Sequence, residues 1–350
     1  MAFILGLGEV FRLLAVAFGA KTNGTDFVSR FAAHFEHAKW EGLHFEDIIF
    51  PLFIFIAGVS LTFSLPRAVA RLGRRRAVLR LLVRCVVLFL LGVLMNGGLE
   101  NGCERVRWMG VLQRIAIASL GAGMLAMFFK TRGLIVATIT ILVGYWALLA
   151  FVPVPGFGAG DFAEQHNLAN WMDANFLAGR RYDGDHDPEG ILSNLPAIAT
   201  ALFGVLAGRW LLGPVSPERK AAWLAIAGTV LLLSGWAWGW DFPVVKKLWT
   251  SSYVLVTAGW SALLLALFYW MVELRGWRAW TTPFVWIGMN PIALYVAANL
   301  MMPKVLAERL TGRLDLPHHT TWAWVPFAVG FALVVLFARA LHKRGIFLRV

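Results

Sequence analysis

Long runs without a single charged residue limit what this chain can fold into. Residues 134–151 and 251–272 are two such runs, and each is close to the roughly 20 residues that a helix needs to cross a bilayer. The sequence is 59% hydrophobic and 15% charged, whereas about one-quarter of the residues in soluble domains are charged. Because a backbone in lipid must satisfy its own hydrogen bonds, these runs predict membrane-spanning helices.

The distribution of the runs predicts an all-α polytopic membrane protein with about ten helices, in one domain over residues 1–350. The connection at 153–190 is long, and its aromatic and apolar residues at 162–177 predict a short amphipathic helix. "DPEGILS" predicts a helix entry, with Asp187 at the N-cap and Pro188 in the first turn. The predicted spans are 1–20, 45–65, 79–95, 108–129, 134–151, 191–212, 221–240, 251–272, 283–302 and 322–341.

The positive charge is concentrated in alternate connections. The net charge is +12, and clusters such as "RAVARLGRRRAVLR" and "HKRGIFLR" carry much of it. Basic connections remain in the cytoplasm, so both termini are predicted to be cytoplasmic and the loop at 153–190 to lie outside. We interpret the run at 67–80 as a topology signal that contacts membrane lipid, and we expect no nucleic-acid partner.

Polar residues within the predicted spans include Glu9, Gln113, Arg114 and Asn290. Polar groups at membrane depth are costly and usually face a cavity or a partner. Each could instead be an interhelical contact that holds helices together. As a set they favour a shared polar cavity.

A group of histidines and carboxylates precedes the span at 45–65. A metal site at His34, His37 and Glu41 has acceptable spacing, but no second cluster supports it, and we predict no metal. A solvated loop without a chemical role is a second interpretation. General base catalysis by one histidine beside a carboxylate is the third. The residues alone leave the last two open.

Several strings together resemble one family. They are "FEHAKWEGLHFEDIIFPLFIFIAGVSLTFSL", "VRWMGVLQRIAIASL", "DGDHDPEGILSNLPAIATALFGVLAG", "KLWTSSYVLVTAG" and "WIGMNPIALYV". In this order, over nearly the whole chain, they resemble the bacterial branch of the heparan-α-glucosaminide N-acetyltransferase family of transmembrane acyltransferases. The resemblance implies a multi-pass protein of the bacterial inner membrane.

The resemblance also implies a reaction. Acetyl-CoA from the cytosol would donate an acetyl group to the amine of an amino sugar or envelope glycan on the outer side. His37, in the "H-A-x-W-x-G-L" string, would be the catalytic residue, either as a base or as a transient acyl carrier. Asp47 would orient His37 or cap its helix, and Gln113 and Arg114 would contact CoA.

Four further residues are candidates for binding the acceptor: Glu9, His186, Asp187 and Asn290. An amino-sugar transporter that uses the same polar cavity is the alternative function. The sequence also leaves room for a homodimer. Family members begin with a "D-x-x-R-G" stretch that this sequence lacks, so we expect either a misassigned start codon or a first helix shortened at its N-terminus.

Overall fold

The computed structural model describes residues 34, 37–100, 102–299 and 324–346, and in these residues the regular structure is helical, without strands. This confirms the all-α prediction. The helices are α1 Phe45–Leu72, α2 Arg74–Met95, α3 Val111–Phe128, α4 Thr131–Phe151, α5 Leu168–Phe176, α6 Asn194–Leu212, α7 Pro217–Trp238, α8 Ser251–Tyr269, α9 Thr281–Met289, α10 Pro291–Asn299 and α11 Trp324–Lys343.

Among the described residues, seven helices are long and apolar enough to cross a membrane: α1 to α4 and α6 to α8, the last extended by a π turn to Leu274. The predicted span at 283–302 is divided at Asn290 into α9 and α10. The division follows from Pro291, which has no N–H for a continuous helix. The predicted span at 1–20 lies outside the described residues, so the total of about ten and the orientation of the termini stay predictions.

The described residues form two compact units. The larger contains Phe50–Arg275 together with Ala38–Leu43, and the smaller contains His34, His37, His44–Ile49 and the described residues after Arg275. Helix α1 therefore begins in the smaller unit and continues through the larger.

Within the larger unit, α1 and α6 pack at very short range. A Cβ atom at Gly58 would overlap the carbonyl oxygen of Ala201, and one at Gly204 would overlap that of Phe55. Small residues allow such approach between membrane helices, where dispersion contacts and weak hydrogen bonds replace the hydrophobic effect. Helix α6 also packs on α3, α4 and α8, so it lies at the centre of this unit.

The peripheral helices carry apolar side chains on their outer surfaces. On α2, Leu79 and Leu90 are each 58% exposed, and Leu233 on α7 is 64% exposed. An apolar surface of this kind is what a lipid-facing helix requires.

In the smaller unit, α9 packs against α10 and α11. The guanidinium group of Arg339 lies 5.4 Å from the ring centroid of Trp286. The side-chain amide of Asn290 is fully buried and donates to the carbonyl oxygen of Ile346 at 3.1 Å, which ties the break between α9 and α10 to the segment after α11.

The connection at 153–190 contains α5, as predicted, capped by Asn167, whose side chain accepts from the N–H of Asn170 at 2.9 Å. The predicted helix entry at Asp187 is wrong, because α6 begins seven residues later at Asn194. The carboxylate of Asp187 instead accepts hydrogen bonds from Arg107 and from backbone N–H groups of the turns around it.

Candidate active site

His37 and Asp47 lie side by side at the start of α1. Nδ1 of His37 is 2.9 Å from Oδ1 of Asp47, and Nε2 is 3.7 Å from Oε1 of Glu46. The side chain of Asp47 is fully buried, whereas that of His37 is 47% exposed. An imidazole that is accessible on one side and held by a buried carboxylate on the other is suited to accept a proton.

The beginning of α1 fixes the position of the Asp47 carboxylate. Asp47 is the third residue of the helix, and its Oδ2 accepts from the backbone N–H of His44 at 3.0 Å. A side chain at this position that bonds back to the residue before the helix is half of a capping box. Asp47 therefore caps the helix with one oxygen and contacts His37 with the other.

The residues directly after His37 belong to the larger unit and are held within it by hydrogen bonds. The indole N–H of Trp40 donates to the carbonyl oxygen of Phe162 at 3.0 Å. The N–H of Gly42 donates to the carbonyl oxygen of Val244 at 2.9 Å, beside a bridge between Glu41 and Val245. Gly42 has a φ of 113°, which glycine adopts without strain, so this residue lets the segment turn into α1.

His186 lies in an acidic cluster of the long loop. It is 2% exposed, with Nδ1 2.7 Å from Asp185, and its Nε2 lies 3.4 Å from Glu164 and 3.5 Å from Asp183. The side chains of Glu164, Asp183 and His186 could together hold a metal ion. However, the Lys247 ammonium group lies 2.8 Å from Glu164 and 2.9 Å from Asp183, so one positive charge already pairs with both carboxylates and offsets part of their negative charge.

Asp187 belongs to an ion-pair network that sequence reasoning missed. Arg107 contacts both carboxylate oxygens of Asp187 at 2.8 Å and also Oε2 of Glu189 at 2.8 Å. The three side chains are nearly or fully buried. Burial raises the pKa of Glu189, while the positive charges of Arg114 and Arg107 oppose this shift. The only indication of this pairing in the sequence is that the two strings that contain Arg107 and Asp187, 80 residues apart, carry opposite charges.

The carboxylate of Asp173, on α5, binds the backbone of the turn that contains Asp187. Its carboxylate accepts from the N–H groups of Ile191 at 2.9 Å and Asp187 at 3.3 Å. Burial raises its pKa to about 6, and the two backbone hydrogen bonds oppose the shift. Gly190 lies against this carboxylate so closely that a Cβ atom would overlap it. The turn before α6 thus requires both residues.

Gln113 and Arg114 lie in the first turn of α3 and are almost completely buried. Arg114 donates to the hydroxyl group of Ser193, and its guanidinium group lies 4.5 Å from the ring centroid of Trp249. Within the described part of the chain, both amide atoms of Gln113 and Nε of Arg114 have no hydrogen-bond partner. Buried polar groups of this kind are costly unless a ligand or water satisfies them.

The predicted site residues are thus distributed over both units. His37, Asp47 and Asn290 belong to the smaller unit, whereas the Gln113–Arg114 pair and the His186–Asp187 pair belong to the larger. The structure brings His37 and Asp47 into contact, and it joins Asp187 to Arg107 instead of to a helix. Glu9 lies outside the described residues.

Comparison with known proteins points to one family. A sequence model described as the heparan-alpha-glucosaminide N-acetyltransferase catalytic region matches residues 25–234. The chain is 29% identical to heparan-alpha-glucosaminide N-acetyltransferase of Homo sapiens and 27% identical to that of Mus musculus. Each alignment covers 91% of this chain and 56% of the relative, so the chain spans about half the length of these relatives. The family match, which contains the His37–Asp47 pair, shows that this chain belongs to the heparan-α-glucosaminide N-acetyltransferase family.

Proposed function

We propose that this protein is a membrane-embedded N-acetyltransferase that transfers the acetyl group of acetyl-CoA to the amine of an amino sugar, with His37 as the catalytic residue. The contact between His37 and the buried carboxylate of Asp47 carries this proposal. The membership of the chain in an N-acetyltransferase family supports the reaction class. By the placement of basic connections, the donor arrives from the cytoplasm and the acceptor from outside.

The pair provides a basic nitrogen in a defined position. When Asp47 is ionised, it accepts a hydrogen bond from the Nδ1–H group of His37, which leaves the lone pair on Nε2. The Asp47 carboxylate also stabilises the imidazolium ion that forms when Nε2 takes up a proton. His37 is half exposed, so a substrate can reach its ring.

Two routes use this nitrogen. In direct transfer, the acceptor amine attacks the thioester carbonyl carbon, the C–S bond breaks to release the CoA thiolate, and His37 takes the proton that the amine loses. In the covalent route, Nε2 attacks the thioester carbonyl carbon and the C–S bond breaks to release the CoA thiolate. The acetyl group then passes from histidine to the amine, and the thiolate takes the proton that the amine loses. Both routes end with an amide, free CoA thiol and neutral His37.

Gln113 and Arg114 are suited to hold the donor. Pantetheine contains amide groups, and the carboxamide of Gln113 has a donor and an acceptor without partners among the described residues. The permanently charged guanidinium group of Arg114 would attract a phosphate or a developing negative charge on the thioester oxygen. The fit of these orphaned atoms to an amide-rich, anionic ligand supports acetyl-CoA as the donor.

On the acceptor side, His186 and its acidic neighbours would attract the ammonium form of an amino sugar before it loses its proton. The roles predicted for Asn290, Asp187 and Glu9 in binding the acceptor stay predictions. Asp187 makes its contacts with Arg107, so its contribution would be to position the loop.

The test is acetyl transfer by the purified protein in detergent, with radiolabelled acetyl-CoA and a panel of amino sugars. We expect labelled N-acetyl sugar and repeated turnover of acetyl-CoA to free CoA only when an amine is present, and a loss of about 10²–10⁴-fold in rate for His37→Ala. Unchanged transfer by His37→Ala would refute the role of His37. Amino-sugar uptake into vesicles that is insensitive to this substitution, without acetylation, would identify a transporter instead.

A further inference from the structure

A cavity of about 520 Å³ lies between the ends of α1, α3 and α6, within the larger unit. This volume is within the range of ligand pockets, roughly 300–1,000 Å³. Thr62 and Arg209 provide the polar part of the lining. The walls are otherwise apolar, with side chains that include Leu61, Leu65, Val69, Met127, Val205 and Leu212.

The course of α1 explains why a cavity is present. At Gly208, α6 lies so close to Thr62 that a Cβ atom would overlap the threonine hydroxyl group. One turn later, Pro66 removes the N–H that would bond to the carbonyl group of Thr62, and proline at such a position bends a helix. Helix α6 ends at Leu212, and the space beyond the close contact stays unfilled by side chains.

A fixed cation stands at the rim of the cavity. The guanidinium group of Arg209 donates to the carbonyl oxygens of Ala126 at 2.8 Å and Phe129 at 3.1 Å, and it thereby caps the end of α3. Arg74 lies nearby, with its guanidinium group 5.7 Å from the ring centroid of Phe128. The segments around the rim, 66–76, 126–132 and 205–213, contain several further basic residues and no acidic residue.

We propose that this cavity binds an acyl chain of an anionic phospholipid, whose phosphate group contacts the arginines at the rim. Hydrocarbon in the cavity would bury apolar surface on both partners. Arginines 67 and 71 are exposed and directly follow the lining residues Pro66 and Ala70 in the chain. The charge of the rim selects an anionic headgroup over a zwitterionic one. This proposal does not rest on the acetyl transfer proposed for His37.

The experiment measures binding of phosphatidylglycerol and phosphatidylcholine to the purified, delipidated full chain by native mass spectrometry. We expect tighter binding of phosphatidylglycerol. Ala70→Trp fills the cavity and should weaken that binding roughly tenfold or more. Ala227→Trp is the matched control, because Ala227 lies among exposed apolar residues on α7 and does not line the cavity, and it should bind like the wild type.

A second variant tests the headgroup contact without touching the apolar walls. Arg67→Gln with Arg71→Gln should lower the affinity for phosphatidylglycerol by about fivefold for each arginine and leave phosphatidylcholine binding unchanged. Equal binding of the two lipids by the wild type would overturn the proposal, as would full binding by Ala70→Trp. Displacement of phosphatidylglycerol by acetyl-CoA in the wild type would assign the cavity to the acyl donor and equally overturn it.

Discussion

Asp47 joins His37 to the first turn of α1: one carboxylate oxygen lies 2.9 Å from Nδ1 of His37, and the other lies 3.0 Å from the backbone nitrogen of His44. The helix start and the imidazole therefore share one buried anion. Because the Asp47 carboxylate contacts both the helix start and the imidazole, substitutions can separate its contribution to stability from its contribution to catalysis.

Asp47→Asn should impair catalysis with little effect on stability. Asparagine retains an oxygen that can accept from the His44 N–H, but it cannot stabilise the imidazolium form of His37. We expect the acetylation rate to fall by roughly 10–10³-fold. The thermal unfolding midpoint in detergent, measured in parallel, should stay near that of the wild type.

Asp47→Ala serves as the comparison, because alanine removes the helix cap as well. It should lose the same activity and in addition about 1 kcal/mol of stability. If Asp47→Asn retained full activity, the contact between Asp47 and His37 would have no catalytic role, and the residue would act as a cap alone.

Arg107→Ala should destabilise the protein strongly. The substitution would leave the buried carboxylates of Asp187 and Glu189 without their common partner. Breaking a buried ion pair from one side typically costs about 3–5 kcal/mol. Thermal unfolding of the purified variant measures the loss, and Arg107→Lys should recover only part of it because lysine cannot form the paired contacts.

Lys247→Gln is the matched control for Arg107. Lys247 also contacts two carboxylates of the long loop, but its side chain is 27% exposed and that of Glu164 is 41% exposed. Water screens such a pair, so the expected cost is about 1 kcal/mol or less. A cost for Lys247→Gln as large as that of Arg107→Ala would show that burial does not set the difference.

Gly204→Ala should disrupt the packing of α1 on α6. The new methyl group would overlap the backbone carbonyl of Phe55, which cannot move without the helix. Overpacking of this type costs about 1–3 kcal/mol. Gly144→Ala is the control, since a methyl group there meets nothing and removes a helical glycine, which should stabilise α4 by up to about 1 kcal/mol. Equal effects of the two substitutions on thermal unfolding would contradict the close contact.

Much of this structure follows from patterns that a sequence displays directly. The apolar runs located the seven long helices, with ends that differ by up to seven residues, because membrane insertion depends on length and composition. The amphipathic stretch at 162–177 located α5, and the family strings placed His37 ten residues before its carboxylate.

Contacts between segments that are far apart in the sequence could not be predicted. Arg107 and Asp187 are separated by 80 residues, and nothing local indicates that they meet. The helix entry predicted at Asp187 failed for the same reason, since aspartate followed by proline is a favourable helix start unless a tertiary partner takes the carboxylate. Residue 190 likewise must be glycine only because the carboxylate of Asp173, on α5, lies against it.

Asp173 should make the stability of the long loop depend on pH. Its folded-state pKa is about 6, above the ordinary value of 3.8, so the folded protein binds the proton more tightly than the unfolded chain does. The stabilising contribution is therefore complete below about pH 4 and is lost as the pH rises through 6, by up to about 3 kcal/mol.

The variant Asp173→Asn lacks this contribution. Its altered hydrogen bonds add a cost in stability that does not change with pH. We expect the unfolding midpoint of the wild type minus that of Asp173→Asn to fall from pH 4 to pH 7, and Asp241→Asn, at an exposed position, is measured in parallel as the control. A difference that is constant over this range would mean that the carboxyl group of Asp173 titrates as it does in the unfolded chain.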